Sequence, residues 1–390
     1  MNGSTALDSA QPARARRTWD RFAHWPASRA RVALVVLVAM LVAAALTPLD
    51  AGDDPQDARP HPLAELVAGD AGPDRRDDDL LLYDAVIERL QNGERYYDFI
   101  VEEHRKRQYA VTPGVAVRLP TLAYIDAWLG PGGQMAVSLA LLLSVLAAWW
   151  RRLAEEPGGL ERRRIALALV FMGTSLCLNR HYFVMHELWA GALLALSFGL
   201  HGPGRWGASL AAAALALFIR ELCLPFVLLM AAVALYRRDW SQSVAWSMLA
   251  LCFLMALSAH SSAIAARSVE GDHHQSWLTL RGLPGFLTLV VHSSSLRVVP
   301  EFLAAPIVML AIVGWLGWRS PAGVFGSLLY LGYGVGFMIA GRPDNFYWGV
   351  LIVPVLFVGL AFMPRAVTSL VEAAAARSGG TTALQERSLP

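Results

Sequence analysis

Apolar and polar residues run along this chain in long blocks. The apolar runs are Val32–Pro48, Gly133–Trp150, Ile165–Leu178, Leu188–Leu200, Ala208–Ile219, Leu222–Tyr236, Val244–His260, Phe302–Trp318, Val324–Ala340 and Gly349–Met363. Each predicts a helix with lipid as its solvent. Several fall short of the ~20 residues that an unaided crossing needs. Those runs must extend into flanking polar residues, or their connections must sit below the membrane surface where backbone lines a cavity.

The block before the second run has an order of its own. Residues Asp50–Arg76 are rich in Pro, Asp, Gly and Ala and predict a loose linker. Asp77–Asn92 predicts an amphipathic helix, with Leu80, Tyr83, Ile87 and Leu90 at helical spacing and Gly93 just past its end. A second helix is expected over Arg95–Arg107, then an extended stretch marked by Pro113 and Pro120. Thr121–Leu129 predicts an interfacial helix, with Tyr124 and Trp128 at headgroup depth. No internal repeat is evident at periods of roughly 20–50 residues. The tail from 364 to 390 reads as disordered.

Length alone would suit two or three soluble domains, but composition excludes them. The chain is 55% hydrophobic and only 16% charged, with a mean hydropathy of +0.42. Its three cysteines, Cys177, Cys223 and Cys252, all lie in apolar segments and read as small buried hydrophobes.

Placement of charge says more than the formal net +2. Basic residues cluster in the N-terminal tail (1–31), in Arg151–Arg164, at Arg237-Arg238, at Arg319 and at Arg365. Those are alternate connections, as the positive-inside rule requires when both termini are cytoplasmic. A cleaved signal peptide is the alternative for the first run; the long basic stretch and the alternation favour an uncleaved helix. The predicted fold is therefore an all-α, polytopic transmembrane bundle of about ten spans. It covers 32–363 and carries a helical first periplasmic loop, 50–132.

The opposite connections collect polar residues that a passive bundle would not need. The first loop supplies Asp77, Asp78, Asp79, Asp84, Glu102, Glu103, His104 and Arg118. Asn179, Arg180, His181, Tyr182, His186 and Glu187 follow, then Arg220-Glu221, Asp272-His273-His274 and Arg342-Pro343-Asp344-Asn345. Ionisable groups at membrane depth are costly and usually face a cavity or a partner. Plainer readings stand beside each signal. The three aspartates could simply complement a helix dipole, and which of them carries a function is open. Arg220-Glu221 could be a structural ion pair, and His273-His274 a solvated turn.

A resemblance sharpens the choice. Asp79-Leu-Leu-Leu-Tyr83, followed by Asn92-Gly93-Glu94-Arg95-Tyr96-Tyr97, resembles the first outer loop of GT-C glycosyltransferases. The nearest group is the polyprenol-phosphate-mannose-dependent α-mannosyltransferases of bacteria. Val117-Arg118-Leu-Pro-Thr-Leu122 and His186-Glu187-Leu-Trp-Ala-Gly191 look like motifs of a subgroup of bacterial membrane proteins with this layout. The likeness covers the first loop well and the spans as a pattern.

It implies a bacterial inner-membrane enzyme that moves a sugar from a polyprenyl-phosphate carrier to a periplasmic acceptor. The leaving phosphate calls for arginine forks, and Arg180, Arg220 and Arg342 sit at the outer ends of spans. The acceptor hydroxyl needs a base, for which Asp79 is the first candidate, with Asp84 and Glu187 behind it. Tyr83, His104, Arg118, His181, His186, Glu221, Asp344 and Asn345 are the candidate substrate contacts. No resident cofactor is expected. His181 and His186 lack the spacing of a helical metal pair, although a divalent ion stays open. The expected partners are the lipid-linked donor, membrane lipids and an unnamed acceptor, with no nucleic acid. The alternatives are a transporter or flippase for a lipid-linked or small polar substrate, and a non-catalytic envelope assembly protein.

Overall fold

A computed structural model describes residues 20–49, 78–156, 159–202 and 204–376. The expected linker Asp50–Arg76, Asp77, most of the basic N-terminal tail and residues 377–390 lie outside those ranges. Among the described residues the regular secondary structure is helical, with only isolated β-bridges besides.

Fourteen α-helices follow in order. They are α1 Ala27–Leu46, α2 Asp78–Gln91, α3 Tyr96–Lys106, α4 Thr121–Ala154, α5 Gly159–Thr174, α6 His186–Leu200 and α7 Gly207–Ile219. Then come α8 Leu224–Tyr236, α9 Trp240–Ala265, α10 Gly282–His292, α11 Glu301–Gly317, α12 Pro321–Ile339, α13 Val353–Leu356 and α14 Met363–Ala375. Each predicted apolar run falls on helix, and the amphipathic pair of the first loop is α2 and α3. The expected interfacial helix forms the first turns of α4. Gly130, at φ 62° and ψ 178°, breaks its line before Pro131. That φ is open to glycine and costly for other residues.

Among the described residues four helical stretches are long and apolar enough to cross a bilayer: Ala27–Leu46, Gly114–Ala154, Trp240–Ala265 and Pro321–Ile339. Val353–Ala361 with Met363–Ala375, bent by 46°, makes a fifth if the pair is one span. Five shorter apolar helices accompany them. The shorter ones pack through close backbone approaches. A Cβ on Gly314 would stand 1.8 Å from the Gly359 carbonyl oxygen, so only glycine lets α11 meet the 357–361 turn. Nearby, Trp149 and Trp315 donate to the carbonyls of Ala195 and Leu356, at 2.9 and 2.7 Å, while their rings pack around Phe198.

Two features depart from the sequence reading. The stretch 261–301, which lies between two predicted apolar runs, is not all connection, because it contains α10. At 11 residues α10 is too short to register as a span, yet Gly285–Val291 are all buried. Both its flanks are tied to one region: Arg281 N donates to Met338 O, and Ser293 Oγ to Phe346 O at 2.7 Å. The disordered tail expected from 364 begins instead as α14. Its Ala366 and Leu370 pack on Phe22 and Ala30, and its Ser369 and Arg365 reach the buried Asp20.

The connections divide into two faces. Residues 20–25, 151–156, 201–202, 204–205, 237–239, 317–320 and 362–370 are linked by contacts such as Arg21 N to Gly317 O and Trp318 Nε1 to Glu156 Oε2. This basic face holds the arginine clusters. On the other, α2 and α3 cover the ends of α4, α6 and α9. Tyr97 Oη meets His260 Nδ1 at 3.0 Å, and Arg105 Nε meets Asp272 Oδ1 at 2.6 Å.

Candidate functional site

The loop face draws several of the candidate residues into one largely buried cluster. Its centre is Arg220. The backbone there is extended, at φ −144° and ψ 116°, so α7 stops and a 3-10 turn at Glu221–Cys223 leads into α8. Pro225, in the first turn of α8, fits that start because its missing N–H has no helical acceptor there. The break puts a charged pair where two apolar helices meet.

Arg220 is 0% exposed. Its Nε lies 2.7 Å from Glu187 Oε1, its Nη1 pairs with Glu221 Oε1, and its guanidinium lies 5.6 Å from the Trp348 ring centroid. Glu187 sits in the first turn of α6, where the helix dipole favours a carboxylate. Arg118 approaches the same Glu221 oxygen at 3.8 Å. Tyr83, on α2, packs against His186 with ring centroids 4.9 Å apart. Asn345 Nδ2 donates to Tyr347 Oη at 3.4 Å, and that phenol lies within electrostatic reach of Arg118.

A small cavity opens beside this cluster. It is lined by Tyr83, His104, Arg118, Asp126 and His186 among apolar residues of α2 and α4. Its volume is about 20 Å³, room for a single water. Around it several buried polar atoms lack hydrogen-bond partners: Nε of Arg118, Nη2 of Arg220, both ring nitrogens of His186 and both oxygens of Asp126. The Gln134 amide approaches the Asp126 carboxyl, but outside hydrogen-bonding geometry. Buried polar groups are nearly always paired, so this concentration is what a polar-ligand or water site presents.

His104 belongs to the rim. Its Nδ1 faces Ala110 O at 3.0 Å. Burial, then the charges of Arg118 and Arg107, push the ring down to about 4, against the pull of Ala110. Below it, burial works to raise the Glu103 carboxyl, but hydrogen bonds from Arg107, Lys106 and Arg89 hold it low.

Other predicted residues lie elsewhere. Arg180 is exposed, in the 3-10 turn Arg180–Tyr182, and the structure does not bring it to Arg220. His181 packs on Tyr182 in the same turn. Arg342 is half-buried; its carbonyl accepts from Arg281 Nη1, and its N–H donates to Asn345 Oδ1. Asp344 follows within the 3-10 run Pro343–Leu351. Asp84 is half-buried and close enough for its charge to act on Asp126. Asp79 occupies the first turn of α2, four residues ahead of Tyr83. His273 serves through its backbone, accepting from Val111 N and Thr112 N. Among the described residues no three His, Cys, Asp or Glu side chains group as metal ligands would.

Asp126 is the residue that sequence reasoning missed. It sat between Tyr124 and Trp128 in a segment read as interfacial, where an acid looks solvated. Helical offsets of three from Ala123 and four from Leu122, which also line the cavity, were the signal available. No family model, no curated protein and no solved structure matches this chain.

Proposed function

We propose that this chain is a GT-C-like membrane glycosyltransferase of the bacterial inner membrane, with about ten spans and both termini cytoplasmic. It would take its sugar from a polyprenyl-phosphate carrier on the periplasmic side. The observation that carries this reading is the pairing of the buried Arg220 with the partly buried Arg118, which share Glu221 and keep unpaired guanidinium nitrogens beneath the first loop. Guanidinium forks suit phosphate oxygens, and burial strengthens their pull on the charge that develops on a leaving phosphate. Asp79, one helical turn ahead of the Tyr83 that meets His186, is the proposed base for the acceptor hydroxyl.

The short α10, with both flanks on the loop face, also favours the second reading, a transporter, since broken helices mark transporter sites. The two readings differ in what happens to the donor. The test of the first is donor binding by purified protein in nanodiscs containing a polyprenyl-phosphate sugar. Arg220→Lys keeps the charge but loses the fork, so it should weaken binding. Unchanged donor affinity in Arg220→Lys and in Arg118→Lys would leave the arginines as scaffolding.

A further inference from the structure

Three polar side chains line the cavity beneath the first loop and leave hydrogen-bonding capacity unused there. They are Asp126, His186 and Arg118. Asp126 is 1% exposed and His186 3%. Both oxygens of Asp126, both ring nitrogens of His186 and the Nε of Arg118 are buried without a hydrogen-bond partner. Much of the remaining lining is apolar, including Leu82, Val86 and Leu122, so these groups alone set what the cavity accepts.

The set matches a single hydroxyl group. An O–H can donate to an Asp126 oxygen while its lone pairs accept from the Arg118 Nε–H and from an N–H of His186. A volume of about 20 Å³ holds one such oxygen and excludes a carboxylate, a phosphate or a whole sugar ring. Charge points the same way. The Asp126 carboxyl opposes an anion, and the Arg118 guanidinium opposes a cation.

Position says which hydroxyl. Arg118 Nη1 lies 3.8 Å from Glu221 Oε1, the oxygen that also pairs with Arg220. The cavity is therefore one guanidinium away from the site assigned to the carrier phosphate. In a glycosyl phosphate the anomeric carbon bears the phosphate, and the hydroxyl on the adjacent ring carbon is the nearest to it.

Resting on the glycosyltransferase reading, we propose that Asp126, His186 and Arg118 bind the donor sugar by the hydroxyl next to its anomeric carbon. The ring lies outside the cavity, between it and Arg220, and the hydroxyl takes the place of a water. A group that cannot reproduce that water's hydrogen bonds loses affinity, which makes Asp126 a specificity-determining residue.

Binding of three lipids to the purified full chain in nanodiscs tests the assignment. They are polyprenyl phosphate, polyprenyl-phosphate mannose and the 2-deoxy-2-fluoro form of the latter, which has no hydroxyl to donate there. The wild type should bind the mannose lipid about tenfold more tightly than the fluoro form, as loss of a hydrogen bond to a charged group predicts. Asp126→Leu removes both acceptors at similar volume. It should bind the two sugar lipids alike and leave polyprenyl phosphate unchanged. If Asp126→Leu does not purify folded, His186→Phe, which keeps a ring against Tyr83, must narrow the preference in the same way. Arg220→Lys should weaken all three lipids together. Equal wild-type affinity for the two sugar lipids, or a preference undiminished in Asp126→Leu or His186→Phe, overturns the proposal and leaves the cavity to water, while the glycosyltransferase reading stands. Failure of the wild type to bind any of the three overturns that reading, and this assignment with it.

Discussion

Arg220 Nε and Glu187 Oε1 stand 2.7 Å apart with side chains 0% and 3% exposed, so the structure holds a dehydrated ion pair at the end of three apolar helices. Breaking such a pair costs about 3–5 kcal/mol, whereas replacing both members with apolar residues is often neutral. Glu187→Gln should therefore lower the melting temperature. Arg220→Met with Glu187→Met should recover most of that stability and none of the donor binding. Recovered binding in the double variant would reduce the pair to scaffolding.

Asp79→Asn removes proton acceptance with little change of shape. The proposed role predicts a loss of ~10²–10⁴ in turnover with donor binding retained. Asp77→Asn and Asp78→Asn are the controls, because a helix-dipole role would be shared and small. An equal mild loss in all three variants would shift the base to Asp84 or Glu187.

Asp126 is 1% exposed and neither carboxylate oxygen accepts a hydrogen bond. An unpaired buried acid costs stability, and its place on the cavity beside His186 and Arg118 makes it a candidate for a role in the site. Asp126→Asn should raise the melting temperature and lower turnover together. A variant that is less stable and fully active would mark Asp126 as a structural residue.

These residues differ in how far the sequence exposes them. The helices are legible because the apolar runs are long against their polar connections, and hydropathy needs no tertiary detail. Arg220-Glu221 is legible for the same reason, as two charges between two apolar runs. The helix α10 is not, since its 11 residues carry no crossing signal and its burial comes from α11, α12 and the 343–351 turn. Asp126 is hidden because α2, distant in sequence, packs on α4 and closes the cavity over it. Arg180 looks equivalent to Arg220 by position, but its 3-10 turn leaves it exposed.

His104 gives the loop a pH dependence. Its folded value of about 4 lies below the ordinary 6.5, so between those values the unfolded chain binds the extra proton. Stability from this residue is complete above pH 6.5 and falls as pH drops toward 4, by on the order of 3 kcal/mol in all. Melting curves from pH 7.5 to 5 should show that slope in the wild type, and a shallower one in His104→Gln. Identical slopes would assign the dependence to other groups.

The most direct test of the central claim follows the donor itself. Proteoliposomes carrying the purified chain are loaded with a polyprenyl-phosphate sugar labelled in the sugar, and both water-soluble label and free polyprenyl phosphate are measured with an acceptor extract present. The account predicts that the sugar leaves the carrier, that polyprenyl phosphate appears in equal amount, and that Arg220→Lys and Asp79→Asn both suppress the reaction. Label that crosses the bilayer still joined to its carrier, with no polyprenyl phosphate released, would contradict it and identify a transporter.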